Sequence, residues 1–493
     1  MSKAERVTLA EFKPLPENAE QYPLEYIENN SVIKLRETAG LIQIGVCDPQ
    51  DEPLLENLRL FHQKQVAYYQ IERSELAGYL GEKLANLGQH LPAGPPADHE
   101  RLLLDKLAND APIVNLVNSI LIEAIRRQAS DIHIECFARE MVIRYRLDGV
   151  LQTVNRLERE NFPAVASRIK IMANLNIMER RLPQDGRITV HLGEDTVDMR
   201  VSVVPIADGE SFVLRLFNKK ASPLTLGELG LSDQDRVLLD RIAGLRNGLI
   251  LITGPTGSGK TTTLNAMLQH IKSDALKIIT IEDPIEYLID GVDQIQTNDR
   301  IGLSFDSLLR RVLRQDPNVI MVGEIRDTPT AELAVRAALT GHLVLSTLHT
   351  RDSVAAITRL RNLQIESYLI AAVLRGAAAQ RLVRRICPAC RRKVRPTRAQ
   401  RETLSALGLS GGSLYQGKGC KACQGSGFQG RVAIFEIFES CDELEGLIVQ
   451  GRRDAELREL LSGRGMGSLA LDGYQKTLDG VTTFEDVQRA VAG

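Results

Sequence analysis

Residues 254–261 read GPTGSGKT, between an apolar run, Leu249-Ile250-Leu251-Ile252, and a helical pattern over 262–271. Strand, glycine-rich loop, Lys-Thr and helix in that order make the phosphate-binding P-loop pattern. Gly254, Gly257 and Gly259 let the backbone curl so that its N–H groups face a phosphate chain. The positive end of the following helix adds to the attraction. Lys260 can reach the outer phosphates, and the Thr261 hydroxyl can ligate magnesium. Pro255, Thr256, Ser258 and Thr262 complete the nucleotide-binding set. A chance glycine turn carries no such frame of strand and helix, so nucleotide binding is the expectation.

With 493 residues the chain holds several domains. Hydrophobic content of 43% and charged content of 25% are those of a soluble globular protein. No apolar run is long enough to span a bilayer, and the start, MSKAERVTLAEFK, has no apolar signal-peptide core. The expected location is therefore cytoplasmic, with any membrane role peripheral, and seven cysteines there do not suggest disulfides. Charge is uneven. Residues 1–100 hold 9 Lys+Arg against 16 Asp+Glu, a local −7, whereas residues 367–401 hold ten Arg/Lys and no acid.

Residues 1–87 read as a small α/β module with paired strands at 31–35 and 40–46 and helices at 54–63 and 74–87. A Pro/Gly-rich linker follows within 88–100. A second domain spans 101–220. Pro112 opens a helix whose apolar face includes Ile113, Leu116, Val117, Ile120 and Leu121. Period-two strands follow at 130–135 and 143–147, with a hairpin turn at Asp148-Gly149. Asp131, His133 and Glu135 share one strand face, which reads as a polar sheet face rather than a metal cage. A helix at 162–173, a turn at Gln184-Asp185-Gly186-Arg187, and strands at 197–203 and 212–216 complete the domain.

From 221 to 385 apolar strands alternate with helices, the mark of a mostly parallel sheet covered on both sides. Three further strand ends carry polar clusters: Glu282, Asp283 and Glu286; Glu324, Arg326 and Asp327; and His349, with His342 just before its strand. Ligands of open α/β sheets bind beyond the carboxyl ends of the strands, so all three clusters are expected to face the P-loop. Glu324 is the candidate to polarise the attacking water. His349 is expected either to sense the γ-phosphate, to bridge subunits or to make a structural hydrogen bond.

Cys387-Pro388-Ala389-Cys390 and Cys420-Lys421-Ala422-Cys423 stand 29 residues apart. Two CxxC pairs make a tetrahedral S₄ site suited to zinc, closed and structural. The surrounding basic run has no interleaved aromatics for base stacking, so a partner-facing or solvated surface is expected there rather than nucleic-acid binding. Past Gly430 the tail reads as helical, with spans at 443–450, 454–463 and 483–491.

GPTGSGKT, ITIEDPIEY, VIMVGEIRD and TGHLVLSTLHT stand in fixed order. With SDIHIE, RYRLDG, LPQDGR and LRQDP they closely resemble the secretion traffic ATPases over residues 101–493. The CxxC-x29-CxxC insertion resembles that of the assembly branch, the type II secretion and type IV pilus extension ATPases. Pilus retraction ATPases lack it. The length and the short N-terminal module look more like the type II secretion member.

The resemblance implies a multidomain α/β protein: an N-terminal partner-binding module (1–87), a linker (88–100), a PAS-like α/β domain (101–220), a RecA-like P-loop ATPase domain (221–385), a tetracysteine zinc module (386–430) and a C-terminal helical region (431–493). It implies a homohexamer on the cytoplasmic face of a bacterial inner membrane. The N-terminal module would bind inner-membrane platform proteins, leaving membrane contact indirect. ATP hydrolysis with Mg²⁺ would drive pseudopilus assembly and protein export. By position, Lys260 and Thr261 match the P-loop pair and Glu324 the catalytic acid. Glu282, Asp283 and Glu286 match the Asp box, His342 and His349 the His box. Arg187 and Arg200 match arginines that resemble γ-phosphate clamps. A type IV pilus extension ATPase and a nucleic-acid translocase are the alternatives, and a nucleotide-binding scaffold without turnover a third.

Overall fold

The computed structural model describes all residues except 1–4, 17–21, 23–26, 28–29, 39, 50, 52–53, 56–57, 60–61, 63–64, 88–107, 193–194, 219–223, 411 and 493. The linker expected at 88–100 lies outside the described residues, as does part of the helix expected at 54–63. The chain divides into two compact units, residues 1–103 and 104–493.

The first unit is built on a four-stranded sheet of β1 (Glu5–Arg6), β2 (Val32–Glu37), β3 (Leu41–Val46) and β4 (Gln65–Gln70), in the order β1-β4-β3-β2. The expected pair β2–β3 is antiparallel, while β3–β4 is parallel. Helix α1 (Arg73–Leu87) follows β4. Ile33, Leu35, Ile42, Ile44 and Leu58 form the centre of its core.

The second unit opens with α2 (Ala111–Arg126), β5 (Asp131–Cys136), β6 (Glu140–Leu147), β7 (Val150–Glu158), α3 (Phe162–Met172), β8 (Gln184–Leu192), β9 (Asp195–Ile206) and β10 (Gly209–Asn218). The strands form one antiparallel sheet, β7-β6-β5-β10-β9-β8. Helices α2 and α3 cover one face, burying Ile132, Ile134, Met199, Val201, Phe212 and Leu214. Leu147 pairs with Val150 across Asp148 and Gly149, both at positive φ, so the hairpin takes the two-residue turn the sequence predicts. Gln184-Asp185-Gly186-Arg187, expected as a turn, is instead the start of β8. A Cβ at Gly186 would lie 2.5 Å from the Ala173 carbonyl oxygen. The glycine thus marks a close backbone approach inside a strand.

Next come α4 (Asp233–Ala243), β11 (Gly248–Thr253), α5 (Lys260–Ile271), β12 (Ile278–Glu282), β13 (Asp293–Gln296), α6 (Phe305–Val312), β14 (Val319–Val322), α7 (Thr328–Leu339), β15 (Leu343–Leu348), α8 (Ala355–Asn362), α9 (Ser367–Val373) and β16 (Leu374–Ile386). The module around the cysteines contributes β17 (Arg391–Val394), α10 (Arg398–Ala406) and β18 (Leu414–Gly417). The chain then returns through β19 (Phe428–Glu439) and ends in α11 (Asp442–Val449), α12 (Asp454–Gly463), α13 (Leu469–Leu478) and α14 (Phe484–Ala492). The large sheet runs β13-β12-β14-β15-β11-β16-β19, parallel except for β19. Alternate residues of β11 serve opposite layers. Leu249 and Leu251 pack toward α7, α8, α9, α11 and α12, and Ile250 and Ile252 toward α4 and α5. The tail read as helical after Gly430 thus opens as a strand: Val432 to Phe438 are buried on both faces, so periodicity alone cannot distinguish them from a buried helix.

Candidate active site

Residues 254–259 leave the buried central strand β11 at its carboxyl end and wrap back to the start of α5. Gly259 caps α5 in the left-handed region, at φ 86°. A Cβ on Gly254 would fall 2.5 Å from the Gln380 carbonyl oxygen and 2.6 Å from Ser258 Oγ, so only glycine fits there. Lys260, 9% exposed, donates from Nζ to the carbonyls of Gly254 and Pro255, at 2.9 Å each. Burial pushes its ammonium pKa down, with Glu324 opposing. Ser258 Oγ is buried without a partner, and Thr262 is half-buried on the first turn of α5.

A cavity of about 290 Å³ opens beside this loop. Thr256, Gly257, Lys260 and Thr261 line one side, and Glu282, Asp283, Glu286, Glu324, Arg326 and His349 the other. Glu324 is held between Arg326 Nε (2.9 Å to Oε2) and His349 Nε2 (3.0 Å to Oε1). Burial and Lys260 push the His349 pKa down, against Glu324. Thr347 Oγ1 donates to the Gly323 carbonyl (2.7 Å), fixing the backbone just before Glu324.

Glu282 is 2% exposed. Its Oε1 accepts from Thr280 Oγ1 (2.7 Å) and Gln294 Nε2 (2.9 Å), while Oε2 has no partner among the described residues. Burial raises its pKa. Burial, and then Glu282, raise that of Glu286, against Arg215 and Arg200. A buried carboxylate oxygen without a partner among the described residues, in a cavity that Thr261 also lines, is hard-oxygen chemistry that suits magnesium.

The structure does not bring His342 to this cavity. It precedes β15 at the amino end of the sheet, a full strand from His349. Its Nδ1 lies 2.9 Å from the Ala337 carbonyl and 3.1 Å from Thr340 Oγ1.

Arg187 and Arg200 stand directly opposite each other on β8 and β9, and Arg215 on β10 extends the row. The three line a cavity of about 700 Å³ that they share with Asp283, a residue of both cavities. Arg200 feels Asp283 and Glu286, although burial and then Arg187 push its pKa down. Arg200 stacks over Phe217 (5.3 Å). Among the described residues neither Arg187 nor Arg200 makes an ion pair with a carboxylate, whereas Arg215 Nε donates to Asp131 Oδ1 (3.0 Å). The expected polar face at Asp131, His133 and Glu135 is an ion-pair face, with Asp131 between Arg215 and Arg146 and Glu135 bound by Arg144 Nε (2.7 Å). Sequence reasoning gave no role to Gln380, Arg326 or Arg215. Gln380 follows three alanines in β16 with no motif around it, and only the sheet order puts it against the P-loop.

The four cysteines converge. Sγ–Sγ separations are 3.8 Å for Cys387–Cys420, 3.8 Å for Cys390–Cys423 and 3.7 Å for Cys420–Cys423, and all four lie within 4.8 Å. A tetrahedron with Zn–S bonds of about 2.3 Å has edges of about 3.8 Å, whereas a disulfide bond is about 2.0 Å. The donor set therefore fits zinc. The N–H groups of Cys420 and Gly427 each donate to Cys423 Sγ (3.2 Å). Burial would raise this thiol's pKa, but these donors hold it down to about 6. A Cβ at Gly417 would sit 2.0 Å from the Gly427 carbonyl oxygen, so the two glycine backbones cross where no side chain fits.

A strand–P-loop–helix in a parallel sheet with an acid, a lysine and a histidine in one cavity defines a P-loop ATPase. Residues 106–489 match the family described as Type II/IV secretion system protein, and residues 3–88 match the MshEN domain. The chain is 45% identical to Type II secretion system protein E of Pseudomonas aeruginosa over 434 residues, covering 87% of this chain and 85% of that one. To the protein of the same name from Dickeya dadantii it is 41% identical, covering 96% and 97%. To the type IV pilus assembly ATPase PilB of Myxococcus xanthus it is 38% identical, covering 98% and 88%. Among solved structures, the pilus retraction motor PilT with bound ADP matches at TM-score 0.50 and 28% identity, covering 76% of this chain and 96% of that one. The ATPase DotB of Legionella pneumophila matches in fold at TM-score 0.56 and 22% identity, covering 77% and 95%. The chain belongs to the type II/IV secretion system protein family.

Proposed function

We propose that this chain is the ATP-hydrolysing motor of a type II secretion system. The observation that carries the reading is the single cavity joining Lys260 and Thr261 of the P-loop to Glu324, held between Arg326 and His349. Lys260 exchanges its two loop carbonyls for the outer phosphates. Thr261 and Glu282 would hold magnesium, with Asp283 and Glu286 in the same cavity, and the ion would supply neutralisation of phosphate charge. Glu324 orients the attacking water and takes its proton, and His349 reports the γ-phosphate. Arg187 and Arg200 make no ion pair among the described residues, so they are available to the γ-phosphate from the second domain, in the same subunit or the next. Closing that domain on ATP and releasing it after hydrolysis supplies a power stroke within a homohexamer.

The tetracysteine site holds one structural zinc. The N-terminal module docks to an inner-membrane platform protein. Among the described residues no helix is long and apolar enough to cross a membrane, so peripheral attachment at the cytoplasmic face of the inner membrane runs through that contact. The match across 98% of the chain to a pilus assembly ATPase keeps a type IV pilus machine as the second reading.

ATP turnover of the purified chain, with and without DNA and with and without each machine's platform protein, tests the assignment. Stimulation by the type II platform alone is the expected result. Stimulation by the pilus platform would favour the second reading, stimulation by DNA would indicate a translocase, and no turnover under any condition a scaffold.

A further inference from the structure

Behind the P-loop lies an ion cluster of Arg351, Asp352, Arg381, Glu436 and Arg458 that the reading above does not use. Arg381 is 7% exposed and follows Gln380 on β16. It donates to the carbonyls of Gln380 (3.1 Å) and Arg351 (2.6 Å), and its charge faces Asp352 and Glu436. Glu436, on β19 and 3% exposed, accepts from both the backbone N–H (3.0 Å) and the hydroxyl (2.7 Å) of Ser353. Arg458, from α12 in the C-terminal region, bridges the two acids, 2.7 Å to Asp352 and 3.5 Å to Glu436, and the exposed Arg351 adds a bond from Nε to Asp352 Oδ2 (3.0 Å).

This cluster grips two segments that end in the nucleotide cavity. Arg351 and Asp352 belong to it, Ser353 is bonded to it, and His349, which holds Glu324, is two residues before Arg351. On the other side, Gln380 accepts from Thr263 Oγ1 (2.7 Å) and packs against Gly254 and Gly259. Glu436 is buried and Asp352 half-buried, and Asp352 keeps a second partner in the exposed Arg351 (3.0 Å); removing Arg458 therefore leaves the buried Glu436 carboxylate facing Arg381 alone among the cations, an under-compensated interior charge. The segment that places His349 would then be free to shift.

We propose that Arg458 of α12 is a positioning residue for ATP hydrolysis, acting through the 349–353 segment and Gln380 rather than by touching nucleotide. The proposal rests on the nucleotide-site reading above. It makes α12 a means by which a load on the C-terminal region alters turnover, because the start of α12 is also tied to α8, where Thr358 Oγ1 donates to Asp454 Oδ1. Arg361 of α8 donates to the carbonyls of Arg452 (2.9 Å) and Ile448 (3.0 Å) just before α12.

The test uses the full chain and measures ATP turnover, KM for ATP, melting temperature and zinc content for four variants. Arg458→Met removes the bridge. Glu436→Gln/Arg458→Met removes one charge of each sign and so leaves the cluster's net charge unchanged if the single variant folds poorly. Arg458→Lys restores the charge without the fork. Lys260→Ala is the control for the site itself. The expected result is a fall in kcat of roughly ten- to a hundredfold in the first two variants, the scale of a displaced catalytic group, with KM within about twofold and zinc unchanged. Arg458→Lys should recover part of the loss. If the folded double variant turns over like the unaltered chain, or if kcat falls only as far as folded protein is lost, Arg458 does not position the site. If Lys260→Ala remains active, the nucleotide-site reading itself has failed.

Discussion

The nucleotide cavity and the tetracysteine centre are both made where tight glycine turns bring polar groups together, yet they are finished in opposite ways. The cysteine centre is closed. Four like donors from two short segments meet at tetrahedral spacing, and backbone N–H groups satisfy the most anionic sulfur. The nucleotide cavity is left open: among the described residues one oxygen of Glu282 and the Ser258 hydroxyl are buried without partners, Lys260 rests on two carbonyls, and Arg187 and Arg200 line a neighbouring cavity with Asp283 without forming an ion pair. A centre that only holds the fold together can satisfy every group at once. One that turns over must keep its groups for a visitor that comes and goes.

That contrast is sharpest when each centre loses one residue. Lys260→Ala should lower turnover by about 10²–10³-fold, the loss typical of removing one preorganised donor from a developing charge, with the melting temperature and zinc content unchanged. Cys423→Ser should do the reverse. Elemental analysis should find the zinc lost, and proteolysis should cut first within 386–430, because metal binding is folding energy in so small a module. A metal-free preparation of the unaltered chain with full protection of that segment would remove the zinc from the account.

Arg200→Ala and Arg187→Ala should each lower turnover at saturating ATP by roughly ten- to a hundredfold. Specific activity should also rise with protein concentration as rings assemble. Flat activity on dilution together with two fully active arginine variants would separate the second domain from the active site.

A smaller effect is expected far from both centres, at the Arg384–Asp486 pair that pins α14 to β16 (2.7 Å). Burial would raise the Asp486 pKa, but the Arg384 guanidinium and backbone N–H hold it below the ordinary carboxylate value. The unfolded chain therefore takes up this proton first as pH falls. The pair's stabilisation is present above about pH 4 and is lost as pH drops through the lower folded value. Asp486→Asn should cost about 3–5 kcal/mol near neutral pH, as breaking one side of a buried pair does, and should flatten the acid limb of the denaturation curve. His342→Ala, at the far end of β15 from the cavity, should change turnover less than about twofold; a larger loss would mean that the amino edge of the sheet reaches the site in the assembled ring.

Sequence legibility follows the same divide. The P-loop, the acid-bearing ends of β12 and β14 and the cysteine tetrad are local patterns in which neighbours in sequence are neighbours in space; the structure brings the first three to one cavity and the four cysteines to one centre. The resemblance groups His342 with His349, but the six-residue strand β15 between them carries the two to opposite ends of the sheet. Gln380, Arg215 and the Arg458 cluster were not visible, because each depends on sheet order: β16 beside β11, β10 beside β9, and β19 returning antiparallel after the cysteine module. In the first unit β4 was missed for the same reason. Its half-buried QVAYYQ shows little alternation and becomes a strand by pairing with β3.

The central claim is that Glu324 serves the cleavage of ATP and not its binding. Glu324→Gln keeps the side chain's shape and its place beside His349 while removing the base. The variant should be purified after incubation with ATP and magnesium, and its bound nucleotide identified by chromatography. Uncleaved ATP retained at close to one per competent site, with turnover lost, is the predicted result; ADP in the site with turnover at the rate of the unaltered chain would contradict it.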